Sequence, residues 1–181
     1  MSEKAVTYIS YLKVDELLEL QKPLSDGEHD EMLFIIIHQT YELWFKQMLH
    51  EVAALQKALE AGETHRSLAL LGRVRTIMKT CVGQIDILET MTPLQFNSFR
   101  GRLSSSSGFQ SAQFREFEAV LGRRDYAGAD ASKKSGMGMA EHLIEGSPAR
   151  ARVEAAMARP ALWDSILRYL DSRGHAVPKN L

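Results

Sequence analysis

The chain has 181 residues, of which 45% are hydrophobic and 25% are charged, and its net charge is -1. These values are ordinary for a water-soluble globular protein, and the length is enough for one domain with a substantial core. The balanced charge gives no indication of binding to nucleic acid or to an anionic membrane.

Cysteine usage and the N-terminal sequence both favour a reducing compartment. Cys81 is the only cysteine, which excludes an internal disulfide, a CxxC redox pair and a four-cysteine zinc site. The first 21 residues mix acids with apolar residues, unlike a signal peptide. The longest apolar run, residues 32–37, is too short to span a bilayer. We therefore expect a cytoplasmic protein without membrane contact.

The spacing of apolar residues predicts an all-α protein built around two long helices. Over residues 30–59 apolar residues recur every three or four positions, and Ser25 with Glu28 forms a capping-box signature just upstream. The first half of this helix is apolar on almost every face, so we expect it to be buried all round. Residues 64–90 carry a second stripe of the same period, and Gly62 lies in the turn between them. Two long helices joined by so few residues are expected to pack antiparallel, as in a helical bundle.

Shorter helices are predicted to follow. Thr92 as N-cap, Pro93 at the first helical position and Gln95 in a capping box predict a helix over residues 93–103. Helices are also predicted over residues 109–121, from Ser147 and Pro148 onward, and over residues 161–172 before Gly174. We interpret the chain as one helical domain (1–181) with an N-terminal arm (1–24), core helices that carry the site (25–122), a mobile loop (123–146) and C-terminal helices (147–178).

Two side chains in apolar surroundings are candidates for chemistry. His38 shares a helix face with Phe34 and Tyr41, so it is either a core histidine or lines a pocket. Arg100 lies one turn after Phe96, and its guanidinium either forms an ion pair or binds a ligand carboxylate through two hydrogen bonds. The residues alone leave both alternatives open.

Other chemistry is less well indicated. The SSSSG stretch at residues 104–108 is either a simple turn or a place where hydroxyls and N–H groups hold an anion. The six histidines show no HxxxH or HExxH spacing, so a non-haem metal site is not expected. Cys81 lies on an apolar stripe, which predicts a buried, unreactive thiol.

Five segments together resemble the tryptophan 2,3-dioxygenase family, in the same order and at similar intervals. They are TYISYL, HDEMLFIIIHQTYELWFKQMLHE, LETMTPLQFNSFRGRL, SSGFQSAQFREFE and ALWDSILRYLDSRGHAVP. The match extends from Tyr8 to about Pro178. The resemblance implies the helical fold shared with indoleamine dioxygenase, a haem b cofactor and a homotetramer. It also implies insertion of both atoms of O2 across the C2–C3 bond of the L-tryptophan indole to give N-formylkynurenine, in tryptophan catabolism and the kynurenine pathway.

The resemblance implies specific roles for the candidate residues. His38 would be the distal histidine near the indole N–H, Phe34 would pack on the indole ring, and Arg100 would bind the substrate carboxylate. Phe96 stands where the family usually has a tyrosine whose hydroxyl helps to hold that carboxylate. These roles agree with the chemistry of the residues, because an apolar pocket suits an indole while one imidazole and one guanidinium fix its two polar ends. The functional interpretation of His38 and Arg100 is then favoured.

Two further groups of residues receive roles only from the resemblance. The haem edge and its propionates would lie near Ser106, Ser107 and Gly108. An arm that covers the pocket of a neighbouring subunit would contain Tyr8, Tyr11 and Leu12.

The sequence also departs from the family pattern. The family's iron-ligating histidine, and a Gly-rich loop over the substrate ammonium group, come later than the last residue here, so the metal ligand is unknown. His142 and His175 are the histidines nearest that end, and residues 123–146 match poorly. Two alternatives to a haem dioxygenase therefore remain. One is a haem-free or truncated homologue that binds an aromatic amino acid or indole without catalysis, and the other is a helical scaffold for oligomerisation.

Overall fold

The computed structural model describes residues 5–104, 106–123 and 143–177. Within these ranges the regular secondary structure is entirely helical, which confirms the all-α prediction. The α-helices are α1 Tyr8–Leu12, α2 Val14–Leu18, α3 His29–Glu60, α4 Thr64–Leu88, α5 Pro93–Arg100, α6 Ala112–Leu121, α7 Pro148–Met157 and α8 Leu162–Ser172. Short 3-10 turns, Gly101–Leu103 and Gly108–Gln110, separate α5 from α6. No helix in the described ranges is both long and apolar enough to cross a membrane.

Two compact units make up the chain, and each is considered by itself. Unit 1 comprises Met1–Thr40 and Gln84–Ser105, and unit 2 comprises Tyr41–Gly83 and Ser106–Leu181. Unit 1 contains most of the predicted site residues. The organisation as one domain stays a prediction.

The two long helices pack antiparallel in unit 2, as predicted. The Tyr41 hydroxyl donates to the Cys81 carbonyl at 2.8 Å, and Arg73 Nη1 donates to both carboxylate oxygens of Glu51 at 3.0 Å. Residue numbers therefore increase along α3 where they decrease along the facing α4, which is the antiparallel arrangement. Gly62 closes the connection with a φ of +71°, which an L side chain rarely adopts. The core between these helices and their neighbours is formed by Met48, Val52, Leu55, Leu59, Val74, Ile77, Phe117 and Leu162.

Two expectations about the start of α3 are wrong. Ser25 does not form a capping box with Glu28, because the helix begins only at His29 and the Ser25 hydroxyl instead donates to Glu31. The first half of α3 is not buried all round either. One face stays uncovered, since the side chains of Met32 and Ile36 are 38% and 43% exposed. Apolar composition indicates that a face can be buried, but not that a neighbouring element is present to cover it.

The predicted start of α5 is confirmed in full. Thr92 is the N-cap, Pro93 opens the helix, and the Gln95 side chain completes a capping box with the Thr92 backbone. The helix ends at Arg100 and continues as a 3-10 turn to Leu103, so the predicted span of residues 93–103 is correct with a tightened last turn. The capping box defines where this helix begins, and the helix length then places Arg100 at its end.

In unit 2 the start of α7 and the end of α8 are also as predicted. Ser147 caps α7, with Pro148 in its first turn, and Gly174 closes α8 with a φ of +81°. The helix predicted over residues 109–121 begins only at Ala112, as α6, because Gly108–Gln110 form a 3-10 turn and Ser111 caps the helix; its end before Gly122 is as predicted. The predicted mobile loop falls largely on residues 124–142, which lie outside the described residues.

The N-terminal arm consists of the two shortest helices, α1 and α2, neither of which contains a buried residue. A capping box between Thr7 and Ser10 starts α1. Beyond α2 the arm is attached to α3 within unit 1, because Gln21 Nε2 donates to Gln39 Oε1 at 2.6 Å and Gln39 Nε2 donates to the Leu20 carbonyl at 3.1 Å. The arm is thus attached at its end and exposed along its length.

Candidate functional site

An aromatic cluster at the junction of α3 and α5 forms the centre of the candidate site in unit 1. The rings of Phe34 and Phe96 lie 5.6 Å apart, and Phe99 meets them edge-on at 5.7 Å and 5.5 Å. Phe99 is fully buried, whereas Phe34 and Phe96 are half-buried. Such tilted contacts are the favoured geometry of aromatic pairs. The cluster therefore presents two partly exposed rings on a fixed base, an arrangement that suits another flat aromatic molecule.

His38 lies against this cluster, and its hydrogen bond defines its tautomer. The imidazole ring is 4.1 Å from the Phe34 ring, and Nδ1 is 2.7 Å from the Phe34 carbonyl oxygen. A carbonyl oxygen can only accept, so Nδ1 carries the proton and donates it. In the neutral ring Nε2 is then a hydrogen-bond acceptor. No described residue occupies Nε2, which leaves it available to an N–H donor such as that of an indole.

Arg100 provides the cationic group at the end of α5. Its Nη1 donates to the Ser104 carbonyl at 3.1 Å, and no carboxylate in the described ranges forms an ion pair with it. The side chain is half-buried and follows directly after the buried Phe99. A guanidinium has five N–H donors, so one bond leaves most of its capacity for a planar anion such as a carboxylate.

A buried carboxylate fixes the segment that leads into α3. Glu31 is only 1% exposed and accepts from the backbone N–H groups of Leu24 and Ser25, each at 2.8 Å, and from the Ser25 hydroxyl. Burial by itself raises the pKa of Glu31, but these hydrogen bonds and the positive charge of Arg102 bring it below its ordinary value of 4.5. Glu31 is therefore charged at neutral pH.

A second acidic residue links α5 to the start of α3. The Ser98 hydroxyl donates to Glu28 Oε2 at 2.6 Å. Ser98 and Arg100 are two residues apart on α5, so this bond holds the helix that carries the guanidinium. Glu28, predicted to cap α3, has this role instead.

Three contributors were not recognised in the sequence. Phe99 follows Phe96 at helical spacing, and that period could have identified it as the base of the cluster. Glu31 resembles any acid in a first helical turn, and no local pattern indicates that it is buried. Ser104 contributes through its carbonyl, for which the sequence contains no signal.

The residues assigned to the haem edge lie in unit 2, at the start of the 3-10 turn before α6. Ser106, Ser107 and Gly108 are all exposed. A Cβ atom built on Gly108 would meet no atom within 4 Å, so this backbone borders open space. Their role at the haem edge stays a prediction.

The arm residues assigned by the resemblance are all exposed. Tyr8 is 74% exposed, Tyr11 75% and Leu12 46%. They make no ring contact with the aromatic cluster in the part of unit 1 that the structure describes. The arm carries further exposed apolar side chains, namely Val6, Ile9, Leu17, Leu18, Leu20 and Leu24.

Other possible sites lie in unit 2 and contain none of the predicted site residues. A cavity of about 350 Å³ is lined in part by Lys57, Glu60 and Glu116, and an apolar one of about 160 Å³ lies between α4 and α8. Cys81 is half-buried, and burial raises the pKa of its thiol, which favours an unreactive side chain. Among the described residues no group of three or more His, Cys, Asp or Glu side chains could hold a metal ion. His142 lies outside those residues, and His175 is exposed.

Fold and site together define an all-α protein with a half-buried aromatic cluster, an imidazole acceptor and a guanidinium at a helix end. A sequence profile of the tryptophan 2,3-dioxygenase family matches residues 1–145. The chain is 56% identical over 174 residues to a tryptophan 2,3-dioxygenase of Anaeromyxobacter sp. (strain K), an alignment that covers 96% of this chain and 61% of the relative. It is 52% identical to that of Herpetosiphon aurantiacus, covering 97% of this chain and 63% of the relative.

A more distant relative, the tryptophan 2,3-dioxygenase of Caulobacter vibrioides, is 43% identical over 96% of this chain and 61% of its own length. The chain belongs to the tryptophan 2,3-dioxygenase family, as its sequence segments indicated. It spans about 61% of the length of the curated relatives it matches.

Proposed function

We propose that this protein is a haem-dependent dioxygenase that inserts O2 into the indole ring of L-tryptophan to give N-formylkynurenine. Family membership supports this function, and one observation in this chain carries the assignment of its residues. The bond from His38 Nδ1 to the Phe34 carbonyl leaves Nε2 as an acceptor next to a half-buried ring. An indole is a flat aromatic ring with a single N–H donor, which matches both features.

Each polar end of tryptophan would meet one group of unit 1. The indole ring would pack on Phe34, its N–H would donate to His38 Nε2, and Arg100 would bind the carboxylate. Two fixed ends define the orientation of the indole C2–C3 bond, which is the main contribution that positioning makes to catalysis. His38 Nε2 can also accept the proton from the indole nitrogen, because its lone pair is not used when Nδ1 donates to the Phe34 carbonyl.

Haem would be held in part by residues of this chain. Its propionates need hydrogen-bond donors and its ring needs open space, and the exposed hydroxyl residues Ser106 and Ser107 with the unobstructed Gly108 suit both needs. Ser106, Ser107 and Gly108 thus fit the edge of the haem. No described residue is assigned as the iron ligand. When bound, haem supplies the iron chemistry that activates O2.

We also propose that a second copy of the chain covers the exposed arm. Tyr8 and Tyr11 are about three-quarters exposed and lie among other exposed apolar side chains, a pattern typical of an interaction surface. A homotetramer follows from the resemblance. Replacing Tyr8 and Tyr11 by serine is expected to lower the oligomeric state measured by sedimentation, and an unchanged sedimentation coefficient would contradict this assembly.

The catalytic proposal is tested by adding haem to the protein and supplying L-tryptophan and O2. We expect the haem absorbance band to change on addition of tryptophan, and N-formylkynurenine to form. The His38→Ala variant should bind haem yet form product at least about tenfold more slowly, since it loses an oriented base. Haem binding without product in the unaltered protein would reject the proposed reaction. Product formation at the same rate in the variant would reject the role of His38.

Binding without catalysis is the second candidate function. It is favoured by the fact that the groups assigned to tryptophan, Phe34, His38 and Arg100, all belong to unit 1, whereas the residues assigned to the haem edge belong to unit 2. Tryptophan binding to haem-free protein, measured by calorimetry, combined with the absence of product after addition of haem, would support this candidate over the first.

A further inference from the structure

Ser104 has a backbone conformation that needs an explanation. Its φ is +52° and its ψ is -128°, a combination close to the first central position of a type II′ turn, where glycine is the preferred residue. Lys13 is the other non-glycine residue with a positive φ in the described ranges, but its ψ of +43° belongs to the ordinary left-handed region. Strain of this kind persists where the surrounding structure enforces it, and it is concentrated at functional sites.

The strained residue accounts for the orientation of Arg100. The Ser104 carbonyl oxygen lies 3.1 Å from Arg100 Nη1 and accepts its hydrogen bond. Residues Gly101–Leu103 form a tight 3-10 turn between the two, so the Ser104 carbonyl lies four residues beyond Arg100. A serine with a negative φ would direct this carbonyl elsewhere. The unusual conformation is thus what brings the acceptor to the guanidinium.

The bond also determines which edge of the guanidinium remains available. Nη1 points away from Nε, whereas Nε–H and Nη2–H lie side by side on the opposite edge. Two parallel N–H groups at that spacing match the two oxygens of a carboxylate. With Nη1 occupied by Ser104, the Nε and Nη2 edge has no partner among the described residues.

We propose that Ser104 is a positioning residue for substrate specificity, whose strained carbonyl holds Arg100 so that the Nε and Nη2 edge faces the carboxylate of an α-amino acid. The inference deepens the proposed function and rests on it, because it assumes that Arg100 binds that carboxylate. A merely structural role is the alternative. A side chain that bonds a carbonyl just beyond a helix end stabilises the helix without affecting ligand choice.

The test compares how strongly the whole protein prefers L-tryptophan over tryptamine, which lacks the carboxylate, by calorimetry. A β-branched residue strongly disfavours a positive φ, so Ser104→Val should turn the carbonyl away and reduce the preference about tenfold, the worth of one hydrogen bond to a charged group. The matched control is Ser104→Gly, which keeps the carbonyl and adopts this φ freely. It should retain the preference and raise the melting temperature.

The Arg100→Ala variant separates the two possible failures. If it loses the preference while Ser104→Val retains it, Arg100 binds the carboxylate without help from Ser104, and the inference is overturned. If Arg100→Ala also retains the preference, the carboxylate is bound elsewhere, and the assignment of Arg100 is wrong together with that of Ser104.

The inference can also be tested on the unaltered protein, so that the result does not depend on whether the Ser104→Val variant folds. Nitrogen-15 NMR of the Arg100 guanidinium reports rotation about its C–N bonds. A guanidinium held by the Ser104 carbonyl should rotate more slowly than that of the exposed Arg75, for which the described residues provide no hydrogen bond or ion pair. Equally fast rotation of the two would overturn the inference without the need for any variant.

Discussion

Replacing Arg100 by alanine is expected to weaken L-tryptophan binding by about 100-fold, because the substrate carboxylate would enter a half-buried site without its cation. Breaking such a charge pair typically costs about 2–5 kcal/mol. Tryptamine, which carries no carboxylate, should bind the variant as well as it binds the unaltered protein. Calorimetry with both ligands measures the effect directly.

Arg100→Lys provides the matched control for charge. Lysine keeps the positive charge but cannot offer two parallel donors or bond Ser104 in the same geometry. We expect it to lose about tenfold in tryptophan affinity, between the unaltered protein and the alanine variant. Full affinity in the lysine variant would show that charge alone suffices, contrary to a bidentate contact.

The second large effect is expected at Glu31. Its Gln variant should lower the free energy of unfolding by about 2–4 kcal/mol at pH 7, because an amide cannot accept all the hydrogen bonds that the carboxylate receives. Those bonds come from the backbone of Leu24 and Ser25 and from the Ser25 hydroxyl. Denaturant unfolding, with hydrogen exchange at Leu24 and Ser25 as the local measurement, tests this expectation.

The contribution of Glu31 to the free energy of unfolding should decrease as the pH falls. Its pKa in the folded protein is lower than the ordinary value of 4.5. Folding therefore favours the ionised form, and the stabilisation is fully present above about pH 4.5 and is lost as the pH falls through the lowered pKa. The difference in stability between the unaltered protein and Glu31→Gln should accordingly shrink below pH 4.5.

Asp30→Asn is the control for the removal of one negative charge from the same helical turn. Asp30 also lies in the first turn of α3 but accepts none of the bonds made by Leu24 and Ser25. Losing only its interaction with the helix dipole should cost roughly 0.5 kcal/mol. Equal effects of the two variants would mean that the general charge at the helix start, and not the buried hydrogen bonds, stabilises this segment.

Most of the fold could be predicted because the helix boundaries depend on local chemistry. Thr92, Pro93 and Gln95 specify the start of α5 through bonds among themselves, and Gly174 ends α8 because it adopts a positive φ. The start of α3 could not be located in this way. Ser25 had the spacing of a cap, but its actual partner, Glu31, belongs to the helix itself, and competition between two acidic partners is not visible in a local pattern.

The side chains of the candidate site could be predicted from the sequence, but the backbone carbonyls that orient them could not. Apolar neighbours in the sequence indicated that His38 and Arg100 are partly buried. In the structure His38 and Phe96 both contact the ring of Phe34. The tautomer of His38 depends on a carbonyl one turn earlier, and the orientation of Arg100 depends on the carbonyl of Ser104. Backbone acceptors are identical in every residue, so a sequence cannot single them out. The exposed face of α3 at Met32 and Ile36 was missed because burial depends on neighbours.

The most direct test is a titration of the unaltered protein with three ligands that differ at one polar end each. L-tryptophan has both the indole N–H and the carboxylate, tryptamine lacks the carboxylate, and the benzothiophene analogue of tryptophan has sulfur in place of the N–H. If His38 and Arg100 bind the two ends, tryptamine should bind at least about 30-fold and the sulfur analogue about 3- to 10-fold more weakly than L-tryptophan. Equal affinity for all three ligands would contradict the assignment of both residues.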